Sequence, residues 1–314
     1  MRRATVLVAL LALGGLSFGV AAYQQPPAGA AAPPAAKVIN VEKVKDNFYV
    51  LRGGGGNTAV FITAEGVTVV DAKNPGWGQP LLDKIKELTP KPVVRLINTH
   101  SHFDHTSGNV EFPATVEIIA HQNTKANIER WAPLQVPGIT QPDSPFKANP
   151  GKGLPSKLFK DKMSVGKGDD KVELFYFGRG HTNGDAWVVF PSLHIVHSGD
   201  IFAGKNLPIL DAVNGGSGVA IPDSLTKAAD ALTKMKVDTI VNGHTPANTT
   251  VADLREYAAF NKEFLAAVRD GKKAGKSVDD IAGAWKTPAS YSGYPTPQPA
   301  RLKGNVQVIF DELK

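Results

Sequence analysis

The chain has 314 residues, 42% of them hydrophobic, with 35 Lys and Arg against 29 Asp and Glu. Its net charge of +6 is spread thinly, with no dense basic tract to argue for nucleic acid, and the absence of cysteine excludes disulfides, thiol nucleophiles and thiolate metal ligands in one step. A metal site in this chain must be built from carboxylates and from its eight histidines.

The N-terminus has the pattern of an export signal: Arg2 and Arg3, an apolar run from about Ala4 to Val20, then the small residues Ala21 and Ala22. The expectation is a secretory signal peptide over 1–22, a Pro/Ala-rich linker over 23–37 and a folded domain over 38–314. A periplasmic or secreted location, without stable membrane insertion after cleavage, follows from that reading. Val38–Val44 and Phe48–Leu51 are predicted as paired strands, followed by the glycine run Gly53–Gly56 and strands over Thr58–Thr63 and Val67–Asp71. Leu81, Leu82, Ile85 and Leu88 form one helical stripe over 80–88. A strand over Val93–Asn98 leads into Thr99-His100-Ser101-His102-Phe103-Asp104-His105.

Beyond that turn, the pattern predicts a strand over Val116–Ala120 and a helix over Asn123–Trp131. Residues 132–160, rich in Pro, Gly and Lys, form an excursion loop of the kind that serves as a lid. Strands follow over Lys171–Phe177, Ala186–Phe190 and His194–Ser198, then a helix over Ser224–Met235, a strand over Thr239–Asn242 and a helix over Val251–Arg269. Gly271–Lys276 is expected to end that helix, and Val306–Phe310 to form a closing strand. Strands dominate each half and helices follow, which fits two stacked sheets with outer helix layers.

The chemistry concentrates at strand ends. His100 and His102 share a face because strand side chains alternate, while Asp104 and His105 turn toward a neighbouring point. That arrangement suits two metals rather than one. Three further segments follow one plan of apolar strand, glycine and ligand: Gly180-His181, Gly199-Asp200 and Gly243-His244. Strand ends on one side of a sheet gather at a common edge, so these residues can meet the first cluster. Asp71, at the end of an early strand, is expected to support the ligand loop. His121, His194 and His197 are expected to be structural or surface residues, with His194 and His197 on opposite faces of one strand. Trp77, Phe146 and Phe159 either cover a substrate or serve core or lid packing, and 53–56, 132–160 and 203–222 are candidates to carry specificity.

The run His100-Ser101-His102-Phe103-Asp104-His105, with His181, Asp200 and His244 following in order, resembles the metallo-β-lactamase-fold hydrolases over roughly residues 40–250. The resemblance implies an α+β fold, a four-layer αββα sandwich with a dinuclear zinc site at one edge. It implies that His100, His102 and His181 bind one Zn2+, that Asp104, His105 and His244 bind a second, and that Asp200 bridges them. Iron or manganese suits the same donors. The implied reaction is cleavage of a carbonyl ester, thioester, lactone or amide-type bond in a small-molecule substrate by a metal-bound hydroxide, with Asp104 as the catalytic residue. Some true β-lactamases carry cysteine where this chain has Asp200, which favours esters, thioesters and lactones. β-Lactam hydrolysis is the alternative, and an iron-dependent oxidoreductase of the same fold a second one. Neither nucleic acid nor a membrane is an expected partner. The segment after about residue 270 has no counterpart in the resemblance.

Overall fold

The computed structural model describes residues 36–314, so the expected signal peptide and most of the linker lie outside the described residues. Lys37–Lys314 forms one compact unit. Its first sheet has seven strands in sequence order: β1 (Asn40–Lys45), β2 (Phe48–Arg52), β3 (Thr58–Ile62), β4 (Val67–Val70), β5 (Val93–Ile97), β6 (Glu117–His121) and β7 (Lys157–Phe159). β1 to β4 run antiparallel through tight turns, and β4 to β7 run parallel. Parallel neighbours need long crossovers. Here these are the helix α1 (Gly78–Leu88), the ligand turn with the short helix α2 (Phe103–Thr106), and the stretch holding α3 (Gln122–Arg130) and α4 (Pro145–Ala148).

The second sheet has the order β12 (Thr239–Asn242), β11 (Ile195–Gly199), β10 (Trp187–Phe190), β9 (Val172–Phe175) and β8 (Lys162–Val165). β11 and β12 pair in parallel, with the crossover made by α5 (Ile221–Lys234). The remaining helices are α6 (Val251–Lys273), α7 (Val278–Ala284) and α8 (Pro299–Glu312).

Three apolar layers hold this together. Between the sheets, Phe48, Phe61, Val70, Ile97 and Ile119 meet Leu174, Val188, Phe190, Ile195 and Val241. The rings of Phe48 and Phe61 both meet Phe190 edge-on, with centroids 4.8 and 5.3 Å away. Leu81, Leu82 and Ile85 of α1 cover the outer face of the first sheet. Helices α5, α6 and α8 cover the second through Leu225, Leu232, Leu254, Phe264 and Val306. The result is the αββα sandwich expected from the sequence.

Four local expectations change. Val306–Phe310 lies within α8, where Leu302, Val306 and Ile309 are buried at helical spacing. Its β-branched run suggested a strand, but packing on α6 overrides the propensity. The supposed excursion loop contains the edge strand β7, and the strand β8 beyond it, Lys-Met-Ser-Val, was too short and polar to declare itself. Helix α5 begins earlier, at Ile221, with Pro222 in its first turn, where no N–H is needed. His194 is not on the strand with His197; it occupies a left-handed turn at φ 59° just before β11. His197 is buried, with Nε2 placed to donate to the Asn57 carbonyl (3.0 Å) and Nδ1 to accept from the Gly199 N–H (3.1 Å), so it ties the ligand-bearing end of β11 to the first sheet. Helix α6 runs on to Lys273, with Thr250 and Asp253 forming a capping box at its start. No helix among the described residues is long and apolar enough to cross a membrane.

Candidate metal centre

All seven residues of the sequence-derived constellation meet at one edge of the sandwich. Loops that leave the ends of β5, β9, β11 and β12 carry them. His102 Nδ1 lies 3.1 Å from His181 Nε2, and the Nε2 atoms of His100 and His181 lie 3.9 and 4.0 Å from Asp200 Oδ2. On the other side, His244 Nε2 stands 3.0 Å from Asp104 Oδ2, 3.2 Å from Asp200 Oδ2 and 3.2 Å from His105 Nε2. His105 Nε2 is 3.3 Å from Asp200 Oδ1. Two donor groups therefore share Asp200.

The outer hydrogen bonds of the imidazoles set their tautomers. Asp71 accepts from the Thr99 N–H (2.8 Å), the Thr99 hydroxyl (2.7 Å) and His105 Nδ1 (2.7 Å). Because the Thr99 hydroxyl spends its proton on Asp71, it can only accept from His100 Nδ1, 2.9 Å away. His181 Nδ1 donates to the Ile209 carbonyl (2.6 Å) and His102 Nε2 to Asp211 (2.9 Å). The rings of His100, His102 and His181 thus turn their other nitrogen, carrying a lone pair, into the shared space. Facing lone pairs about 3 Å apart repel, and His100 Nε2 and Asp200 Oδ1 are buried without a hydrogen-bond partner. A tetrahedral cation with bonds of about 2.0–2.2 Å to N and O spaces its ligands roughly 3.3–3.6 Å apart, and the donor distances here, 3.0 to 4.0 Å, bracket that spacing. The residues fit a pair of divalent metals.

The electrostatics differ between the two groups. Burial, reinforced by neighbouring histidines, holds His100 well below its usual range, and burial brings His181 down to about 4. His105 goes the other way: burial opposes its charge, but Asp200, Asp104 and Asp71 outweigh it. The Asp200 carboxylate raises His244 to about 10. Burial would raise Asp104, yet His105 and His244 bring it down to about 2. The carboxylates of this group thus favour the protonated form of both His105 and His244.

The backbone is shaped around these groups. Asp71 is buried at φ 66°, a left-handed conformation that costs a non-glycine residue about 1–3 kcal/mol and tends to persist at functional sites. The amide of Gly56 donates to the Asp104 carbonyl (2.9 Å), and a Cβ on Gly56 would lie 2.2 Å from the His105 ring. A Cβ on Gly243 would lie 1.8 Å from Asp200 Oδ1. Gly243→Ala is therefore expected to displace the shared carboxylate and cost at least about tenfold in metal affinity while the melting temperature of the metal-free protein moves little. Unchanged affinity would remove Gly243 from the account.

Sequence reading missed three contributors. Asp211 lies 109 positions from the histidine it holds, and only its place in the 203–222 rim hinted at a role. Thr99 sits inside the motif but carries no recognisable signal of its own. Lys73 is wholly buried, with Nζ donating to the carbonyls of Leu51 and Gly56 (both 3.0 Å), and burial lowers it to about 7. We expect Asp211→Ala to weaken metal binding at the adjacent histidines by about 10–100-fold, with Asp211→Asn intermediate. Competition with a chromophoric chelator measures this; affinity within twofold of the parent would contradict it.

The centre opens onto a cleft of about 700 Å³ lined by His102, Asp104, Asp200 and His244. Gly55, Leu134, Ile139, Lys205 and Ile209 also line it, so each of the three expected specificity segments contributes. Of the two readings of Trp77, Phe146 and Phe159, packing holds and substrate covering does not, since none of them lines this cleft. Trp77 packs over Gly54, Phe146 meets Trp131 edge-on, and Phe159 is buried between the sheets against His121. His121 is structural, as expected, with Nδ1 accepting from the Asn123 amide at the start of α3 and its ring stacked on Tyr176.

Residues 51–244, which span the whole constellation, match the family model of the metallo-beta-lactamase superfamily. The chain belongs to that superfamily. A hydroxyacylglutathione hydrolase of Nostoc punctiforme is 28% identical over 239 residues, covering 76% of this chain and 75% of the relative. A second, of Trichodesmium erythraeum, is 26% identical, covering 68% and 66%. A metallo-beta-lactamase type 2 of Elizabethkingia meningoseptica is 25% identical over 52% of this chain and 62% of the relative. Among solved structures, a metallo-beta-lactamase from Pontibacter korlensis superposes with a TM-score of 0.57 at 18% identity, covering 72% of this chain and 99% of that one. An inverting sec-alkylsulfatase from a Pseudomonas species reaches 0.64 at 14% identity, covering 88% and 50%. These likenesses establish the fold, and with the named relatives they make this superfamily member a metal-dependent hydrolase.

Proposed function

We propose that the chain is a dinuclear zinc hydrolase that cleaves a carbonyl ester, thioester, lactone or amide-type bond of a small molecule. One observation carries the reading: two groups of inward-facing donors, His100, His102 and His181 beside Asp104, His105 and His244, share the single carboxylate of Asp200. A metal pair, when bound there, supplies Lewis acidity and lowers the pKa of the water it holds. The protein's own contribution is positional. Asp104, held ionised and partly open to the cleft, accepts a proton from the attacking water and returns it to the leaving atom. Asp71, Thr99, Asp211 and the Ile209 carbonyl fix the rings so that little reorganisation accompanies the reaction. Phe103, Leu134, Ile139 and Phe202 give the cleft apolar walls that seat the substrate and exclude bulk water.

Relatives named hydroxyacylglutathione hydrolase support an acyl substrate. The relative named metallo-beta-lactamase type 2 supports β-lactam cleavage as a second reading. Protein of quantified metal content, assayed on an aryl ester, an acyl thioester, a lactone and a chromogenic cephalosporin, separates them. Turnover of the acyl esters above the cephalosporin is expected; cephalosporin hydrolysis alone would reverse the order, and no turnover of any would reject the hydrolase chemistry. The leader pattern of residues 1–22 supports export to the periplasm or beyond, which fractionation of cells expressing the full chain tests.

A further inference from the structure

Helix α8 lies outside the stretch that matches the family model, yet it holds the loop that orients two of the inward-facing rings. That loop, residues 203–220, has no regular structure beyond one short helical turn at Ala212–Asn214. It supplies the Ile209 carbonyl that accepts from His181 and the Asp211 carboxylate that accepts from His102. Among the described residues, the stretch Leu207 to Leu210 makes no hydrogen bond from main chain to main chain. Leu207 and Leu210 are packed in the apolar layer outside the second sheet. Such packing is non-directional, so it sets the depth of the stretch but not the rotation of its peptide planes.

The direction comes from α8. Asn305 is buried, and its Nδ2 donates to the Pro208 carbonyl at 2.7 Å, one residue before Ile209. Two turns further along the same face, Glu312 accepts from the Ser217 hydroxyl (3.0 Å) and the Val219 amide (3.1 Å), beyond Asp211 in the loop. Its other oxygen meets Arg179 (3.2 Å), whose Nε donates to the Gly215 carbonyl (2.7 Å). The helix therefore grips the loop on both sides of Ile209 and Asp211.

We propose that α8 clamps the metal centre, with Asn305 and Glu312 as positioning residues that hold Ile209 and Asp211 against His181 and His102. The inference rests on the metal centre proposed above and gives the C-terminal segment a part in it. One consequence separates a clamp from a helix that merely stabilises the fold. The clamp bears on the group of His100, His102 and His181, and not on His105, which Asp71 holds from the first sheet.

The test measures zinc affinity by competition with a chromophoric chelator and, in protein with nitrogen-15 histidine, solvent exchange of the ring N–H groups. Asn305→Leu keeps the shape but cannot donate. It is expected to weaken zinc binding at one of the two sites by about fivefold to tenfold, less than the loss of Asp211 itself. The ring N–H groups of His181 and His102 should exchange at least about tenfold faster, while that of His105 stays protected. Glu312→Leu acts in the same direction, and Glu312→Gln, which still accepts from Ser217 and Val219, recovers most of the affinity. Glu312 is only half-buried, so its variants decide the question should Asn305→Leu fail to fold. Leu302→Ala is the control, because Leu302 is buried on the side of α8 toward Trp285 and α7. It should lower the melting temperature and leave zinc affinity and ring exchange as in the parent. Affinity within about twofold of the parent in the Asn305→Leu and Glu312→Leu proteins would overturn the proposal. So would an equal loss in Leu302→Ala, since the helix as a whole and not its two contacts would then matter. Ring exchange is read in zinc-free protein as well. If the parent binds no zinc while His181 and His102 still exchange faster in Asn305→Leu, the metal reading fails and the clamp on the loop stands.

Discussion

Replacing Asp104 or His102 by alanine is expected to lower kcat/KM by at least about a thousandfold, since each removes a donor from the centre on which the chemistry depends. The two variants differ in kind. Without His102, the first group loses one of its three imidazoles, and Asp211 is left buried without the ring it holds. Without Asp104, the second group loses its open-side carboxylate, His244 loses an acceptor at 3.0 Å, and proton transfer to the leaving atom has no carrier. Asp104→Asn keeps the shape but not the charge, and is expected to lose nearly as much. Both side chains sit on the turn at α2 and not in the packed layers between and outside the sheets. Far-UV circular dichroism and cooperative melting should therefore survive. Activity within tenfold of the parent in both purified variants would remove the proposed chemistry from this cleft.

The second large effect is on protons. In the metal-free chain His105 is held well above its ordinary range and His244 at about 10, so near pH 7.5 each carries a proton on the nitrogen needed for a metal. His100 and His181 are shifted downward and are already neutral there. Loading zinc must then displace two protons, one each from His105 and His244. The sign follows: metal affinity rises with pH below about 10 and falls on acidification. With two protons released, the apparent affinity of the second group changes by about a hundredfold per pH unit. Calorimetric titration in buffers of different ionisation enthalpy counts the protons. A value close to two is expected, and zero would mean that the protons do not hold the place of the second cation.

The reach of the sequence is set by how local each signal is. His100 to His105 lie in one turn, and the Gly-His and Gly-Asp pairs end apolar strands, so the ligand set needed no tertiary knowledge. The interior strands were equally plain, because β3 and β4 are apolar on both faces. β8 is a short, partly exposed edge strand whose register is fixed only by β9. Val306 to Phe310 carries strand-forming residues whose helical spacing makes sense only against α6. Asp211 acts through a contact made across the fold, His102 to Asp211 spanning 109 positions, and no window of sequence contains both partners. The ligands and the supporting Asp71 were therefore legible, whereas Asp211 and Thr99, which orient other rings of the centre, were not.

Anomalous diffraction at the zinc edge, from crystals of the metal-loaded protein, tests the central claim most directly. Two peaks are predicted in each molecule, one among His100, His102 and His181 and one among Asp104, His105 and His244, with Asp200 between them. A single peak that leaves either group of ligands empty, or peaks away from Asp200, would contradict it.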